Sequence, residues 1–186
     1  MRTCSKNTYC ANFLALALNL AFLANCSADD LAIGHFTSTS YGDWKMAGTA
    51  FKSGPATDDL LSKLKIENAA DNRVASSEIE GDAASGTLIS PEFKIARKYI
   101  SFRISGGDYE HDTCLNLLIN GKAVKSATGW RSNRLVPACW DVSQFLGQIA
   151  QVQIVDEASG DWGHINVDRI VQTDKPERLP VVTRCV

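Results

Sequence analysis

The sequence lacks the charge excess and the short motifs that mark several large classes of protein. Its 19 basic and 21 acidic residues give a formal net charge of -2, and no basic run is interleaved with aromatic residues, which argues against nucleic-acid binding. There is no P-loop, no nucleophile elbow and no His-x-x-x-His spacing, and the chain contains only three histidines. No C-x-x-C pair is present and no histidine stands beside a cysteine, so the cysteine spacing does not indicate zinc.

The first residues differ in composition from the rest of the chain. Two basic residues precede an apolar run from Phe13 to Ala24, and small residues follow it. This order is typical of a secretory signal peptide, and the run is too short for a permanent membrane helix. We therefore predict a signal peptide over residues 1–28, cleaved after Ala28, and a protein that is secreted, periplasmic or at the cell surface. The alternative is a bacterial lipobox with lipidation at Cys26, although Asn25 departs from the small residue expected there.

Removal of this leader leaves three cysteines, Cys114, Cys139 and Cys185. In an oxidising compartment Cys114 and Cys139 can form a disulfide if their strands are neighbours. Two buried thiols are the other interpretation, and the sequence leaves both open.

The rest of the chain predicts an all-β fold. Hydrophobic residues make up 45% of the sequence, which is typical of a globular domain with a real core. Short apolar or alternating runs are separated by turn residues, as in Tyr99–Ser105 and at the hairpin signal Asn120-Gly121. One segment, 58–70, is compatible with a helix. Eight or nine strands predict an antiparallel β-sandwich with jelly-roll connections over residues 31–174, followed by an exposed tail, 175–186.

Some loops between these strands have the composition of a saccharide-binding site, in which hydrogen-bonding side chains are combined with an exposed aromatic ring. Three loops and one strand residue supply the candidates: Asp108, Glu110 and His111; Trp130 and Arg131; Asp161, Trp162 and His164; and Arg103 on the polar face of its strand. The alternative for each loop is a solvated turn, and for the two tryptophans a partly buried edge of the sandwich.

A structural calcium ion is a further alternative. Asp156, Glu157 and Asp168 carry the hard oxygen ligands that calcium prefers, but their spacing matches no known calcium loop. No other cofactor is predicted.

A series of short motifs runs in a fixed order through the mature chain: Tyr41-Gly42-Asp43-Trp44, Gly86–Phe93, Ile104–Gly107, Cys114–Lys122, Ala127–Gly129, Trp140–Val142 and Ile154–Asp168. From about Ile33 to about Asp174 this order resembles the non-catalytic β-sandwich module attached to family 32 glycoside hydrolases, the levanases and other β-fructosidases. The resemblance implies a sandwich of the galactose-binding-like type.

The resemblance also implies a secreted module that binds carbohydrate, with a fructan such as levan or inulin as the partner, and it favours the loop that carries Trp162 and His164. The catalytic module of those hydrolases is absent from this chain, so we predict that the chain is not an enzyme. Two alternatives stay open: a structural or protein-interaction domain of the cell envelope, and a truncated remnant of a family 32 hydrolase. Contact with a membrane is expected only through a lipid on Cys26.

Overall fold

A computed structural model describes residues 29–177 of the chain. The predicted signal peptide with Cys26, and the end of the tail with Cys185, lie outside the described residues, so those predictions stay predictions. Within the described part, no helix is long and apolar enough to cross a membrane.

Two antiparallel sheets pack face to face as a sandwich. The first sheet contains β1 (Leu31–Gly34), β3 (Ala75–Ser76), β6 (Tyr99–Gly106), β9 (Ser132–Asp141) and β11 (Ile165–Thr173). The second sheet contains β2 (Lys45–Gly48), β4 (Gly86–Ile89), β5 (Phe93–Lys94), β7 (Thr113–Ile119), β8 (Lys122–Thr128) and β10 (Ile149–Asp156). The strand order is β1-β11-β6-β9 in the first, with β3 beside β11, and β2-β4-β10-β7-β8 in the second, with β5 beside β10. The predicted all-β sandwich is confirmed, and its jelly-roll, galactose-binding-like form stays a prediction.

The core lies between the sheets and follows the alternation of the strands. On β6, Ile100, Phe102 and Ile104 point inward and are at most 2% exposed. Burying an aliphatic or aromatic side chain of this kind contributes about 1.5–3 kcal/mol each. Trp140 on β9 is fully buried, and its ring lies 4.6 Å from that of Phe102. Because successive side chains of a strand point to opposite faces, the alternating apolar residues form one buried face on each sheet.

The helix-compatible segment forms α1 (Asp58–Leu64), which is shorter than predicted. The helix ends because Lys65 adopts a left-handed conformation with φ of 55°. Leu61 and Ile66 pack with Leu135 in a second, smaller apolar cluster. This packing fixes the chain between α1 and β4, including a 3-10 turn (Glu78–Glu80), near the ends of β9 and β11.

The two cysteines that the sequence allows to pair do not form a disulfide. Cys114 lies on β7 in the second sheet, whereas Cys139 lies on β9 in the first, and both are fully buried thiols. The condition for pairing, neighbouring strands, is not met. Burial raises the pKa of the Cys139 thiol to about 11, and it also raises the pKa of Cys114.

Strand β11 contains a β-bulge that the alternation of the sequence does not reveal. Its pairing with β6 shifts register between Asp168 and Val171, and Arg169 within the shift has φ of 47°. The simple period predicts that Val171 shares the inner face with Ile165, but that prediction is wrong. The extra residue turns Ile170 into the core, and Val171 pairs instead with Ser101 on the outer face.

Candidate functional site

Three loops meet at one end of the sandwich: 107–112 between β6 and β7, 129–131 between β8 and β9, and 157–164 between β10 and β11. We call this region the loop end. The N–H of Gly107 donates to the carbonyl oxygen of His164 (2.8 Å), and the N–H of Arg131 donates to that of Gly106 (2.9 Å). A Cβ atom on Gly129 would stand 2.4–2.7 Å from backbone atoms of Gly106. Glycine is therefore required here for the loops to approach one another.

The same loops bring three predicted binding residues, Asp108, Arg131 and Asp161, together around the ring of Tyr109. The hydroxyl of Tyr109 donates to the carbonyl oxygen of Asp161 (3.0 Å), and the guanidinium carbon of Arg131 lies 5.8 Å from the centre of the tyrosine ring. Arg131 also approaches Asp108, at 3.7 Å, and about half of both side chains is exposed. An ion pair this exposed contributes roughly 0–1 kcal/mol, so its charged groups stay accessible to a ligand.

The two tryptophans of the loop end differ in exposure. The side chain of Trp130 is 66% exposed, which fits an aromatic platform and not a buried sandwich edge. Trp162 is half-buried: its ring lies 5.6 Å from the ring of His164, tilted by 35°. Its backbone is left-handed with φ of 63°, a conformation that costs a non-glycine residue about 1–3 kcal/mol and is held here by the surrounding loops.

His164 stands at the centre of a buried polar network and is only 5% exposed. Its Nδ1 lies 2.8 Å from Asp82 Oδ1, and its Nε2 lies 3.0 Å from Asn133 Oδ1 and 3.6 Å from Glu78 Oε2. The amide nitrogen of Asn133 donates to Glu78 Oε1 and to the carbonyl oxygen of Leu64, both at 2.9 Å. These bonds orient the amide so that its oxygen faces the imidazole.

Sequence reasoning missed Glu78 and Asp82, and it assigned no role of its own to Asn133, which lies within the second candidate loop. Glu78 and Asp82 belong to the polar stretch after α1, which carries no motif, and Asn133 is one polar residue at the start of a strand. No local signal distinguishes them, because they meet His164 only through the fold. The imidazole is 31 residues from Asn133 and 82 from Asp82 along the chain.

A buried carboxyl group adjoins this network. Asp156 ends β10, has no exposed surface, and makes no hydrogen bond of standard geometry from either carboxyl oxygen to a described residue. Desolvation raises the pKa of Asp156 to about 7, against the opposing effects of the Ser77 hydroxyl and of His164. A large part of this group therefore carries its proton at neutral pH.

The remaining predicted residues lie apart from this network. Glu110 and His111 are exposed on the first loop, where His111 adopts φ of 76°. Arg103 donates to the carbonyl oxygen of Asn68 and to the Glu177 carboxylate, so its hydrogen bonds point to the outer face of the first sheet and not to the loops. Whether any candidate binds a saccharide stays a prediction.

The weak calcium candidates do not form a site. Asp168 Oδ2 accepts hydrogen bonds from the N–H groups of Ala70 and Asp71, at 2.5 and 3.2 Å, while Asp156 adjoins His164. Among residues 29–177, no group of three or more histidine, cysteine or acidic side chains is placed to hold a metal ion.

Comparison with curated proteins relates the chain to a fungal protein. It is 35% identical over 127 residues to "Putative glycosyl hydrolase ecdE" of Aspergillus rugulosus. The match takes in 68% of this chain but only 18% of that protein, so the chain spans less than a fifth of its relative. No family model matches the chain.

Two solved structures give weak similarity. A cyclase from Fischerella sp. TAU has 9% sequence identity and a TM-score of 0.38, with 81% of this chain and all of that chain covered. An apo-form cyclase from Fischerella sp. has 10% identity and a TM-score of 0.36, with 86% and 93% covered. Neither similarity is close enough to support an argument about function.

These findings correct two predictions. The family 32 resemblance is wrong, because no family model matches and the relationship found is to the Aspergillus protein. The prediction that the chain is not an enzyme, drawn from that resemblance and from the lack of catalytic motifs, is corrected as well, since the relative is itself described as a glycosyl hydrolase. What stands is a relationship to a described glycosyl hydrolase, without support for fructan as the ligand.

Proposed function

We propose that the chain recognises a saccharide at the loop end, outside the cytoplasm. The observation that supports this most is the meeting of three loops at the loop end, where Arg131 lies over the ring of Tyr109 and its chain neighbour Trp130 is 66% exposed. The relationship to a described glycosyl hydrolase agrees with this class of ligand.

The loop end offers the contacts that a sugar needs. The exposed face of Trp130 can stack against the C–H face of a pyranose or furanose ring. Arg131 donates hydrogen bonds to sugar hydroxyls, and the carboxylates of Asp108 and Asp161 accept them. Such a shallow site buries few atoms, so we expect a dissociation constant of roughly 10 µM to 1 mM for a single site.

The test is a binding screen on the secreted chain. Retention on levan, inulin, cellulose, starch and galactan is measured, and tryptophan fluorescence is followed during titration with the soluble fragments. Levan and inulin are only two of the glycans screened, because the family 32 resemblance that favoured them is wrong. We expect one glycan to give a saturable change and Trp130→Ala to abolish it.

The matched control is Met46→Ala, which removes another exposed apolar side chain, 47% exposed, from edge strand β2. This variant should bind as the unmodified chain does. Absence of binding to every glycan, or unchanged binding by a folded Trp130→Ala variant, contradicts the proposal.

Hydrolysis at the loop end is a second candidate function. Glycosidases place two carboxyl groups across the scissile bond, and one of them must carry a proton. Glu78 and Asp82 face different nitrogens of the His164 ring, and the side chain of Asp82 is 40% exposed. Asp156, which interacts with His164 and Asp82, can hold a proton near neutral pH because burial raises its pKa to about 7.

Release of reducing sugar from the retained glycan tests this second candidate. Glu78→Gln and Asp82→Asn should each lower the rate at least tenfold while glycan retention persists. If the unmodified chain binds the glycan and releases no sugar, the function is recognition alone.

A further inference from the structure

The outer face of the first sheet contains a depression lined by charged and apolar side chains, separate from the loop end. It has a volume of about 210 Å³, and none of its lining residues belongs to the three loops. Its charged lining residues are Asp30, Arg103, Arg169, Lys175 and Glu177. We call it the sheet groove.

The bulge in β11 shapes this groove. Arg169 lies in the shifted register and is exposed, and Val171 faces outward beside Ser101 because of the same shift. Bulges redirect side chains and often occur next to functional sites. Here the bulge places the cationic Arg169 and the apolar Val171 together in the lining of the sheet groove.

Arg103 forms the most structured part of the groove. Its side chain is 15% exposed, and one terminal nitrogen, Nη1, is held by the carbonyl oxygen of Asn68 at 2.9 Å. The other, Nη2, donates to both carboxylate oxygens of Glu177, at 3.0 and 3.2 Å. The Nε atom of Arg103 and the hydroxyl of Ser101 are buried and make no hydrogen bond within the described part of the chain.

The contact of Glu177 with Arg103 indicates that the groove can hold a carboxylate group. The carboxylate of Glu177 sits on a positioned guanidinium, yet its own side chain is 54% exposed and follows the last strand. An exposed ion pair of this kind is weak, so a carboxylate brought by a ligand can displace it. With Glu177 displaced, three cationic side chains face one acidic side chain, Asp30, in the groove.

We propose that the sheet groove binds a uronic acid residue of an acidic saccharide, whose carboxylate takes the place of the Glu177 carboxylate on Arg103. Arg169 and Lys175 supply further positive charge, and Val171 with Pro137 offers apolar surface to the C–H face of the sugar ring. The saccharide nature of the ligand rests on the proposed function, whereas the site and its charge preference do not.

The test compares the binding of tetragalacturonate with that of its fully methyl-esterified form by titration calorimetry on the secreted chain. We expect binding of the acid and at least tenfold weaker binding of the neutral ester, because a hydrogen bond to a charged group is worth that much. Arg103→Gln should weaken binding of the acid about 10- to 100-fold. Glu177→Gln should strengthen it about two- to fivefold, since the internal competitor is lost.

Arg134→Gln is the matched control. The Arg134 guanidinium pairs with Glu67 at 3.2 Å, both side chains are 64% exposed, and neither residue lines the groove. This variant should bind tetragalacturonate as the unmodified chain does.

Other outcomes overturn the proposal. Equal binding of acid and ester does so, as does unchanged affinity in a folded Glu177→Gln variant, or binding of tetraglutamate as tight as that of tetragalacturonate. Failure of this proposal is distinguishable from failure of the loop-end site: Trp130→Ala should lose the neutral glycan and keep tetragalacturonate, and Arg103→Gln should show the reverse.

Discussion

The imidazole of His164 and the carboxylate of Asp82 are in contact at 2.8 Å across 82 residues of sequence. This contact joins the loop before β11 to the segment before β4, and Asn133 from β9 completes the network on the other ring nitrogen. The loop end is therefore held by a few buried polar contacts between segments that are distant in sequence.

Replacement of His164 by Phe should destabilise the protein by about 2–4 kcal/mol. The change leaves the side-chain oxygen of the partly buried Asn133 without its partner, which costs about 1–3 kcal/mol, and it removes the contact of the imidazole with the Asp82 carboxylate, worth about 1 kcal/mol. Urea unfolding followed by far-UV circular dichroism measures the effect. The comparison is His111→Phe, at an exposed position, which should stay within about 0.5 kcal/mol.

Asp156 should make the folded state less stable as the pH rises from about 4 to about 8. Its folded pKa, raised by desolvation to about 7, lies above the unfolded value near 3.8, so the folded state binds the proton more tightly in this window. The stability contributed by the protonated form is lost as the carboxyl ionises.

The Asp156→Asn variant isolates this effect because it keeps the shape and cannot ionise. Its free energy of unfolding relative to the unmodified chain should increase with pH, by an amount on the order of 3–4 kcal/mol between pH 4 and pH 8. Unfolding in urea at several pH values measures this difference. A difference in unfolding free energy that is independent of pH would show that the pKa of the Asp156 carboxyl group is not raised in the folded state.

Gly129→Ala should destabilise the loop end through lack of space. Its Cβ would meet the backbone of Gly106 at 2.4–2.7 Å, and backbone atoms cannot move aside as a flexible side chain can. We expect a cost of about 1–3 kcal/mol and weaker glycan retention. Gly42→Ala is the control: nothing lies within 4 Å of its Cβ position, so only its positive φ of 59° is penalised and glycan retention should not change.

Arg169→Gly should be more stable than Arg169→Ala by about 1–2 kcal/mol, since both remove the charge and only glycine accepts φ of 47° without strain. Thermal unfolding of the two variants measures this difference. Equal stability of the pair would mean that the bulge has relaxed to an ordinary strand.

The thiols of Cys114 and Cys139 should not react with a thiol reagent in the native protein. Both side chains are fully buried, and burial raises both pKa values, so little reactive thiolate is present. Titration before and after unfolding in urea should differ by two thiols. No increase on unfolding would indicate a disulfide that the structure does not contain.

The alternation of apolar and polar residues determined the sandwich, because this signal is local. Ile100, Phe102 and Ile104 specify an inner face by themselves, and Asn120-Gly121 specifies a hairpin between β7 and β8. Residue chemistry also identified the three loops of the loop end, since turn residues with aromatic and charged neighbours are visible in the sequence.

Tertiary structure decided which of these residues meet. The partners of His164 come from two separate segments without a motif, and the strands of Cys114 and Cys139 fall in opposite sheets because of the strand order. Because of the bulge at Arg169, Ile170 lies in the core in place of Val171. The bulge arises from the pairing of β11 with β6, so the sequence of β11 alone does not show it. Local periodicity determines which face of a strand is apolar, but contacts between distant segments depend on strand order and register, and these are properties of the whole chain.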